Sequence, residues 1–358
     1  QKVQHAPKAL AVVGGEKQLT YEQLNKSANQ LARRLMELGV GPEVCVGIYL
    51  DRSPEWITCL LAVIKAGGAY LPIDPASPAE RVAFMLEDAH ARVLLTTKPE
   101  STKLAEHSAH VICLDTEWHT LASESTDNVE VTPDPDSLAY IIYTSGPTVW
   151  PKGVAVTHRG LLNLVHWYCQ AFALSSADRS TQVAGLGFDA TVWEVWPQLT
   201  EGASIYLANE EARISAEALR DWLVAEQIAV SYVPTPLTEA LLGLEWPSAS
   251  ALRFLITGGD TLHRFPTTSH PFVVMNNYGP TENTVVVSSG AVEPNEQSGL
   301  LPHIGKPIAN VQVYVLGPQL EVVPIGVVGE LYVSGASQAR GYVGHPEITA
   351  ERFVPNPY

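Results

Sequence analysis

A turn rich in hydroxyl groups and glycine follows the apolar run LAYII, at residues 143–153 (YTSGPTVWPKG). Its hydroxyls can donate hydrogen bonds to phosphate oxygens, its glycines allow close backbone approach, and its lysine adds positive charge. The residues suited to these tasks are Thr144, Ser145, Gly146, Thr148 and Lys152. The turn is not a P-loop, because Lys152 is preceded by Pro151 and followed by Gly153. It predicts either a phosphate-holding turn or an ordinary surface hairpin.

Composition restricts the possible classes of protein. The chain has 358 residues, 46% of them hydrophobic, enough for one large core or for two or three smaller ones. Thirty-eight acidic and 22 basic residues give a net charge of −16, which would repel a nucleic acid or an anionic membrane, and no basic patch offsets it. We therefore expect neither of these partners.

The four cysteines lie far apart in apolar runs rather than in CxxC or Cys/His clusters. We interpret them as buried free thiols in a reducing compartment, which predicts a cytoplasmic protein. No apolar segment reaches the roughly 18 residues of a membrane span. Because the chain lacks an initiating Met and ends in a Pro-containing loop, we expect a piece of a longer chain.

Helix patterns alternate with short apolar runs over most of the chain. Thr20 predicts a capping box with Gln23, Ser53 caps a second helix before Pro54, and Ser77 with Pro78 repeats that opening. Apolar runs such as VCVGIYL, separated by such helices, predict parallel strands covered on both faces. From about residue 284, strands and Gly-rich turns follow one another without helices, which predicts a smaller antiparallel unit.

Six stretches resemble, in order and spacing, the core motifs of amino-acid-activating adenylation domains of nonribosomal peptide synthetases. They are LTYEQLN (19–25), IKAGGAYLPIDPASP (64–78), LAYIIYTSG..T..PKGVAVTH (138–158), GFDATVWEVWPQL (187–199), NNYGPTENTV (276–285) and GELYVSGASQARGYVGHPEITAERF (329–353). The resemblance covers essentially the whole chain.

The resemblance implies the α/β core of acyl-AMP-forming enzymes, with two doubly wound sheets flanked by helices and a smaller antiparallel β-barrel-like unit. Residues 1–358 would form a single core, with subdomains at about 1–170, 171–285 and 286–358. The C-terminal lobe of the family would be absent.

The implied reaction is attack of an amino-acid carboxylate on the α-phosphate of ATP, giving aminoacyl-AMP and pyrophosphate. Such a site must neutralise phosphate charge and hold the carboxylate in line. ATP and Mg²⁺ are the implied cofactors, and phosphopantetheine would be carried by a separate carrier domain. Carrier and condensation domains of a larger synthetase are the implied partners, in the biosynthesis of a natural product such as an antibiotic.

The resemblance also implies roles for individual residues. The hydroxyl-rich turn would hold the β- and γ-phosphates, Thr281 would donate to the α-phosphate, and Glu282 would hold Mg²⁺. Groups acting on the reacting phosphates would be Thr144, Lys152, Thr281 and Glu282. Nucleotide contacts would also come from Gly258, Gly259, Asn276 and Tyr278, the last by stacking on adenine.

The amino-acid pocket is implied in the same way. Asp189 would pair with the substrate α-ammonium group. The side-chain slot would be lined by Ala190, Trp193, Ser231, Ile256, Gly258, Asn277, Val285 and Val286. This lining is mostly apolar and uncharged, so a charged side chain would be left unpaired, and it is similar to the leucine-type pocket of the family. We expect a medium aliphatic amino acid. Without the resemblance, the apolar members are ordinary core residues.

The phosphate turn departs from the family pattern. Pro147 stands where the family has Ser or Thr, and Val149 stands where it has Gly; Trp150 follows. Proline removes a hydroxyl and an N–H donor, and valine disfavours the positive φ that glycine permits. We expect a weakened phosphate grip and, without the C-terminal lobe, substrate binding with little turnover.

Two alternatives remain open. One is an acyl-CoA ligase of the same superfamily, which would activate a carboxylic acid without an amino group. Asp189 argues against this alternative. The other is a catalytically silent scaffold or carrier-docking module, which the altered turn makes conceivable.

Overall fold

The computed structural model describes residues 2–144, 150–295 and 299–358. Their helices are α1 (Lys2–His5), α2 (Tyr21–Glu37), α3 (Pro54–Lys65), α4 (Ala79–Asp88), α5 (Lys98–Ser101), α6 (Leu114–Leu121), α7 (His158–Ala171), α8 (Ala190–Glu201), α9 (Glu210–Ile214), α10 (Ala216–Ala225), α11 (Thr235–Leu241) and α12 (Pro346–Arg352). A short 3₁₀ turn covers Thr281–Asn283. None of these helices combines the length and apolar character that crossing a membrane requires.

The strands are β1 (Leu10–Gly14), β2 (Lys17–Thr20), β3 (Cys45–Tyr49), β4 (Ala69–Ile73), β5 (Val93–Thr96), β6 (His110–Cys113), β7 (Leu138–Thr144), β8 (Lys152–Thr157), β9 (Arg179–Gln182), β10 (Ser204–Leu207), β11 (Val230–Tyr232), β12 (Phe254–Gly258), β13 (Val273–Tyr278), β14 (Ser288–Val292), β15 (Lys306–Pro307), β16 (Val311–Leu316), β17 (Glu330–Gly335) and β18 (Gly341–Tyr342).

Two large sheets and one ribbon contain these strands. The seven-stranded sheet has the order β18-β8-β7-β4-β3-β5-β6, and the nine-stranded sheet has the order β15-β14-β13-β12-β11-β9-β10-β1-β2. Inner strands pair in parallel in both sheets, as between β3 and β4 and between β12 and β13. The predicted α/β class with two helix-flanked sheets is confirmed.

Each large sheet contains strands from distant parts of the chain. β1 and β2 precede residue 170 but belong to the nine-stranded sheet, while β18 follows residue 286 but pairs with β8 in the seven-stranded sheet. β14 and β15 extend the nine-stranded sheet, so only β16 and β17 form a separate antiparallel ribbon within the described residues. Antiparallel edge strands can be connected by short turns instead of helices. A run of strands without helices therefore resembles a separate antiparallel unit in the sequence.

Helix starts follow the predicted caps in two of three cases. Thr20 and Gln23 form the reciprocal capping box of α2. The Ser53 hydroxyl accepts a hydrogen bond from the Trp56 N–H at the start of α3. The prediction for Ser77 is wrong, because Pro78 occupies the cap position of α4. Asp74 instead organises the preceding turn by accepting hydrogen bonds from two backbone N–H groups.

One continuous hydrophobic core joins the two large sheets. It includes buried residues of β3, β7 and β8 together with residues of β1, β10 and the helices α2, α3, α7 and α8. At its centre the Trp196 indole N–H on α8 donates to the Tyr70 hydroxyl on β4, at 2.9 Å. Thr144, at the carboxyl end of β7, and Thr281, shortly after β13, line one cavity between the sheets' carboxyl edges, which is where open α/β sheets bind ligands.

Candidate functional site

The β7–β8 hairpin places two of the predicted phosphate-binding residues side by side. Thr144, the last residue of β7, pairs with Lys152, the first residue of β8. Both side chains are half-buried, and both line a cleft of about 490 Å³. Ser145, Gly146, Pro147, Thr148 and Val149 lie outside the described residues. The hairpin thus brings one hydroxyl and one cation to the cleft.

Trp150 follows directly on the part of the turn that is not described. Its ring stacks on Phe84 of α4, with centroids 4.7 Å apart. On the other side of the hairpin, the Tyr143 ring makes an edge contact with Phe84, and the Tyr143 hydroxyl donates to Asp88 Oδ2 at 2.6 Å. Residues 84 and 88 are one turn apart on α4. This helix face therefore anchors both ends of the hairpin turn.

The segment after β13 carries Thr281 and Glu282 on a tightly packed turn. Gly279 has no room for a side chain, since a Cβ there would lie 2.4 Å from the Val285 carbonyl oxygen. Thr284 and Val285 have positive φ angles of 50° and 70°, a rare conformation for β-branched residues. The Thr284 hydroxyl holds this conformation by donating to the Ser337 carbonyl oxygen at 2.5 Å.

Asp189 and Thr281 meet between the predicted amino-acid and nucleotide sites. Thr281 Oγ1 donates to Asp189 Oδ2 at 2.7 Å. Asp189 is in the cap position of α8 but makes no side-chain capping bond. Burial raises the pKa of its carboxyl group, and the Thr281 hydrogen bond opposes part of that rise. Both residues line a second cavity, of about 570 Å³, which Thr144 also lines.

Glu282 belongs to the first cleft, together with Thr144 and Lys152. Its Oε1 accepts a hydrogen bond from the Tyr342 hydroxyl at 2.5 Å. Among the described residues, no group of three or more His, Cys, Asp or Glu side chains could hold a metal ion by itself. A single carboxylate fits Mg²⁺ that takes most of its ligands from substrate phosphates and water.

The predicted side-chain slot consists of residues from α8, β11, β12, β13 and the strained turn. All of its members are buried: Ala190, Trp193, Ser231, Ile256, Gly258, Asn277, Val285 and Val286. The Trp193 ring lies 5.2 Å from the Tyr232 ring, centroid to centroid. Gly258 allows β12 and β13 to approach each other, because a Cβ there would lie 2.5 Å from the Asn277 carbonyl oxygen.

Polar groups in the slot are only partly satisfied. Ser231 Oγ lies 2.7 Å from Thr181 Oγ1, and the Asn277 amide donates to the carbonyl oxygens of Thr257 and Met275. Asn277 Oδ1 and the Trp193 indole nitrogen are buried without a hydrogen-bond partner among the described residues. Buried polar atoms of this kind are costly unless a ligand or water pairs with them.

The remaining nucleotide candidates lie at the carboxyl ends of β12 and β13. Tyr278 is 38% exposed, so part of this residue is accessible to a stacking partner. Asn276 is buried, and its amide already donates to the His303 carbonyl oxygen at 3.0 Å. Gly259 follows β12 with a positive φ of 93°. An adenine pocket at this edge would combine the Tyr278 ring with the backbone at Gly258 and Gly259.

Sequence reasoning missed three residues near the site. Glu194 is buried on α8 and accepts hydrogen bonds from the backbone N–H groups of Val183 and Ala184, and burial raises its pKa to about 8. Arg52 donates to three backbone carbonyl oxygens of the same segment. Together they fix the strand end that leads to Asp189. The sequence pattern that could have identified Glu194 is a single acidic residue within the apolar run ATVWEVW. No pattern in the sequence marks the third residue, Tyr342, as part of the site.

The geometry agrees with a comparison against known protein families. The sequence profile of the AMP-binding enzymes matches residues 1–343. This chain belongs to the AMP-binding enzyme family. The curated relatives include two subunits of the linear gramicidin synthase of Brevibacillus parabrevis, each 51% identical over 355 residues. Bacitracin synthase 1 of Bacillus licheniformis is 42% identical over 358 residues.

The chain covers only a small part of these relatives. The alignments include 99% of this chain for the two gramicidin synthase proteins and 100% for bacitracin synthase 1. They take in 5% of one gramicidin synthase protein, 7% of the other and 7% of bacitracin synthase 1. This chain therefore corresponds to one segment of a much longer synthase in each of these relatives.

Solved structures lead to the same family. The AMPPNP-bound form of the nonribosomal peptide synthetase FmoA3 has a TM-score of 0.91 and 32% identity, covering 99% of this chain and 39% of that chain. The NpsA N-terminal subdomain of Klebsiella oxytoca, in complex with 3-hydroxybenzoyl-AMSN, has a TM-score of 0.85 and 26% identity. That match covers 100% of this chain and 89% of that chain. The resemblance to adenylation domains of nonribosomal peptide synthetases is thereby confirmed.

Proposed function

We propose that this chain selects an amino acid and activates it as aminoacyl-AMP with ATP, releasing pyrophosphate, for loading onto a phosphopantetheine carrier domain in nonribosomal peptide synthesis. The observation that carries the proposal is the hydrogen bond between Thr281 and Asp189. The ammonium and carboxylate groups of an amino acid are separated by a single carbon. A residue that binds the ammonium group must therefore lie beside the residue that binds the phosphate attacked by the carboxylate.

Each side of this contact has a defined task. The ionised Asp189 carboxylate would pair with the α-ammonium group in a partly desolvated site, where leaving either charge alone is costly. The Thr281 hydroxyl, which donates to Asp189 in the free chain, would turn to the α-phosphate once the ammonium group has taken its place. Thr144 and Lys152 would bind the outer phosphates, and Lys152 would offset negative charge in the transition state.

Mg²⁺ would be bound by Glu282 and the phosphates, and when bound it would neutralise part of the phosphate charge. Glu282 fits this role because it lies in the same cleft as Thr144 and Lys152. FmoA3 is described in an AMPPNP-bound form, which supports nucleotide binding by this chain.

We further propose a medium aliphatic amino acid, such as leucine, as the substrate. Ile256, Val285 and Val286 give the slot buried hydrocarbon walls, and the slot residues include no charged side chain. A lysine or glutamate side chain would lose its hydration there without gaining a partner. The NpsA N-terminal subdomain is described in complex with an acyl-AMSN compound, which supports a binding assay on residues 1–358. We expect binding with little turnover, because Pro147 and Val149 replace residues of the family's phosphate turn.

The test is a melting assay with the proteinogenic amino acids, since a ligand that binds the native state raises its melting temperature. We expect leucine, valine or isoleucine to give the largest shift and Asp189→Ala to abolish it. Asp74→Ala is the matched control, because Asp74 lines the same cavity while its carboxylate accepts a hydrogen bond from the Ala76 backbone N–H. Larger shifts with lysine or glutamate would refute the substrate assignment.

Two further ligands separate the alternatives. If 4-methylpentanoate, which is leucine without its amino group, stabilises the chain as well as leucine does, the acyl-CoA ligase is favoured. If ATP shows no saturable binding, even with Mg²⁺, the scaffold is favoured.

A further inference from the structure

Tyr342 contacts two groups of opposite charge in the first cleft, the one lined by Thr144, Lys152 and Glu282. Its hydroxyl donates to Glu282 Oε1 at 2.5 Å, and the Lys152 ammonium nitrogen lies 5.3 Å from the centroid of its ring. We propose that Tyr342 is a positioning residue that orients Glu282 toward a divalent cation and Lys152 toward the phosphates. The proposal rests on the nucleotide-binding role proposed above.

The sheet register explains how one side chain reaches both groups. Tyr342 on β18 is paired with Val154 on β8. Lys152 lies two residues before Val154, and side chains two residues apart share one face of a strand. A diagonal neighbour across an antiparallel pair is within reach of an aromatic ring and a long side chain. The ammonium group therefore meets the ring face, where the negative quadrupole attracts a cation.

The Tyr342 ring is itself held by α12. Its backbone N–H donates to Thr349 Oγ1 at 2.9 Å, and the Phe353 ring makes an edge contact at 5.7 Å between centroids. Gly341 precedes it with a φ of 144°, and a Cβ at that position would lie 2.5 Å from Thr349 Cγ2. α12 therefore packs closely against β18 and fixes where the ring points.

The hydrogen bond from Tyr342 restricts the Glu282 carboxylate. The phenol hydroxyl occupies Oε1 of Glu282 and limits rotation of the carboxylate group. The other oxygen is then available to a cation, which suits a hard metal ion that takes its remaining ligands from phosphates and water.

The test measures ATP affinity of the 358-residue chain by calorimetry, once with Mg²⁺ and once with a chelator. Tyr342→Phe keeps the ring beneath Lys152 but removes the hydroxyl. We expect it to lose about tenfold in affinity for ATP with Mg²⁺ and to leave metal-free ATP binding unchanged. Tyr342→Leu removes the ring as well, so metal-free ATP binding should also weaken, by about two- to fivefold.

Tyr206→Phe is the matched control, because Tyr206 also has a cationic side chain over its ring, that of Arg179 at 5.6 Å. It should bind ATP like the unmutated chain under both conditions. A Tyr342→Phe chain that melts normally and keeps the full gain from Mg²⁺ would overturn the proposal. Absence of ATP binding by the unmutated chain would overturn the proposed function instead, and the role of Tyr342 with it.

Discussion

The proposed site has an amino-acid half and a phosphate half, which are built in different ways. The amino-acid half comprises Asp189, which is half-buried at the start of α8, and the slot residues, which are buried on α8, on β11 to β13 and in the turn at Val285 and Val286. The Asp189 carboxylate is its one charged group. The phosphate half comprises the half-buried residues Thr144, Lys152, Glu282 and Tyr342, and side-chain contacts join Lys152 and Glu282 to Tyr342. The departures from the family pattern, Pro147 and Val149, belong to the phosphate half. The two halves should therefore fail independently when mutated.

The largest effect is expected for Asp189→Asn. Removing one member of a desolvated charge pair costs about 3 to 5 kcal/mol, so leucine affinity should fall at least about a hundredfold while ATP affinity changes little. Calorimetry with each ligand measures both. Equal losses for leucine and ATP would show that the halves are not independent.

The same substitution should raise the melting temperature of the free chain at pH 7. The pKa of Asp189 is raised in the folded state, so the charged carboxylate destabilises the fold, increasingly as pH rises from 3.8 through the folded pKa. Asparagine removes that cost.

Leucine binding by the unmutated chain should also depend on pH. Because the pKa of Asp189 is raised, we expect leucine affinity to fall on acidification at a higher pH than it would if the aspartate were exposed. A leucine affinity independent of pH down to about 4 would contradict the assignment.

A second prediction concerns the phosphate half. Pro147→Thr with Val149→Gly restores a hydroxyl, an N–H donor and backbone freedom to the turn. If each recovered hydrogen bond to a charged group contributes about 1.5 to 3 kcal/mol, ATP should bind about a hundredfold more tightly. Leucine affinity should not change. If this double variant binds ATP no more tightly than the unmutated chain, Pro147 and Val149 do not weaken phosphate binding by the turn.

Some parts of the fold and of the candidate site can be predicted from residue types alone, and others cannot. Local patterns of consecutive residues predict the α/β class and the helix caps at Thr20 and Ser53. They also predict the hairpin that carries Thr144 and Lys152. Membership of β1, β2 and β18 in their sheets depends on pairing between strands far apart in the chain, which no local pattern encodes. The role of Tyr342 has the same origin, because it meets Glu282 and Lys152 only after β18 has paired with β8.

Packing behind the amino-acid half gives a third prediction. Gly258→Ala would force a Cβ to within 2.5 Å of the Asn277 carbonyl oxygen, so β12 and β13 must separate. We expect a loss of about 2 kcal/mol in the free energy of unfolding, measured by denaturant titration, together with weaker leucine binding. Gly41→Ala is the control, because within the part of the chain that the structure describes no heavy atom beyond the two adjacent residues lies within 4 Å of the added carbon. Equal stabilities for the two variants would contradict this account of the slot.

The smallest effect is expected at the end of the phosphate turn. Trp150→Ala removes the stacking on Phe84, which should cost about 1 kcal/mol of stability. A double-mutant cycle with Phe84→Ala isolates the pair, and we expect a coupling energy of about 0.5 to 1.5 kcal/mol. Strictly additive effects of the two substitutions would mean that α4 does not anchor the turn through these rings.

The position of a bound amino acid tests the central claim most directly. A crystal structure of the chain with leucine should place the α-ammonium nitrogen within about 3 Å of an Asp189 carboxylate oxygen, with the side chain against Ile256 and Val286. An ammonium group beyond hydrogen-bonding reach of Asp189, or a leucine side chain outside the slot, would contradict the account.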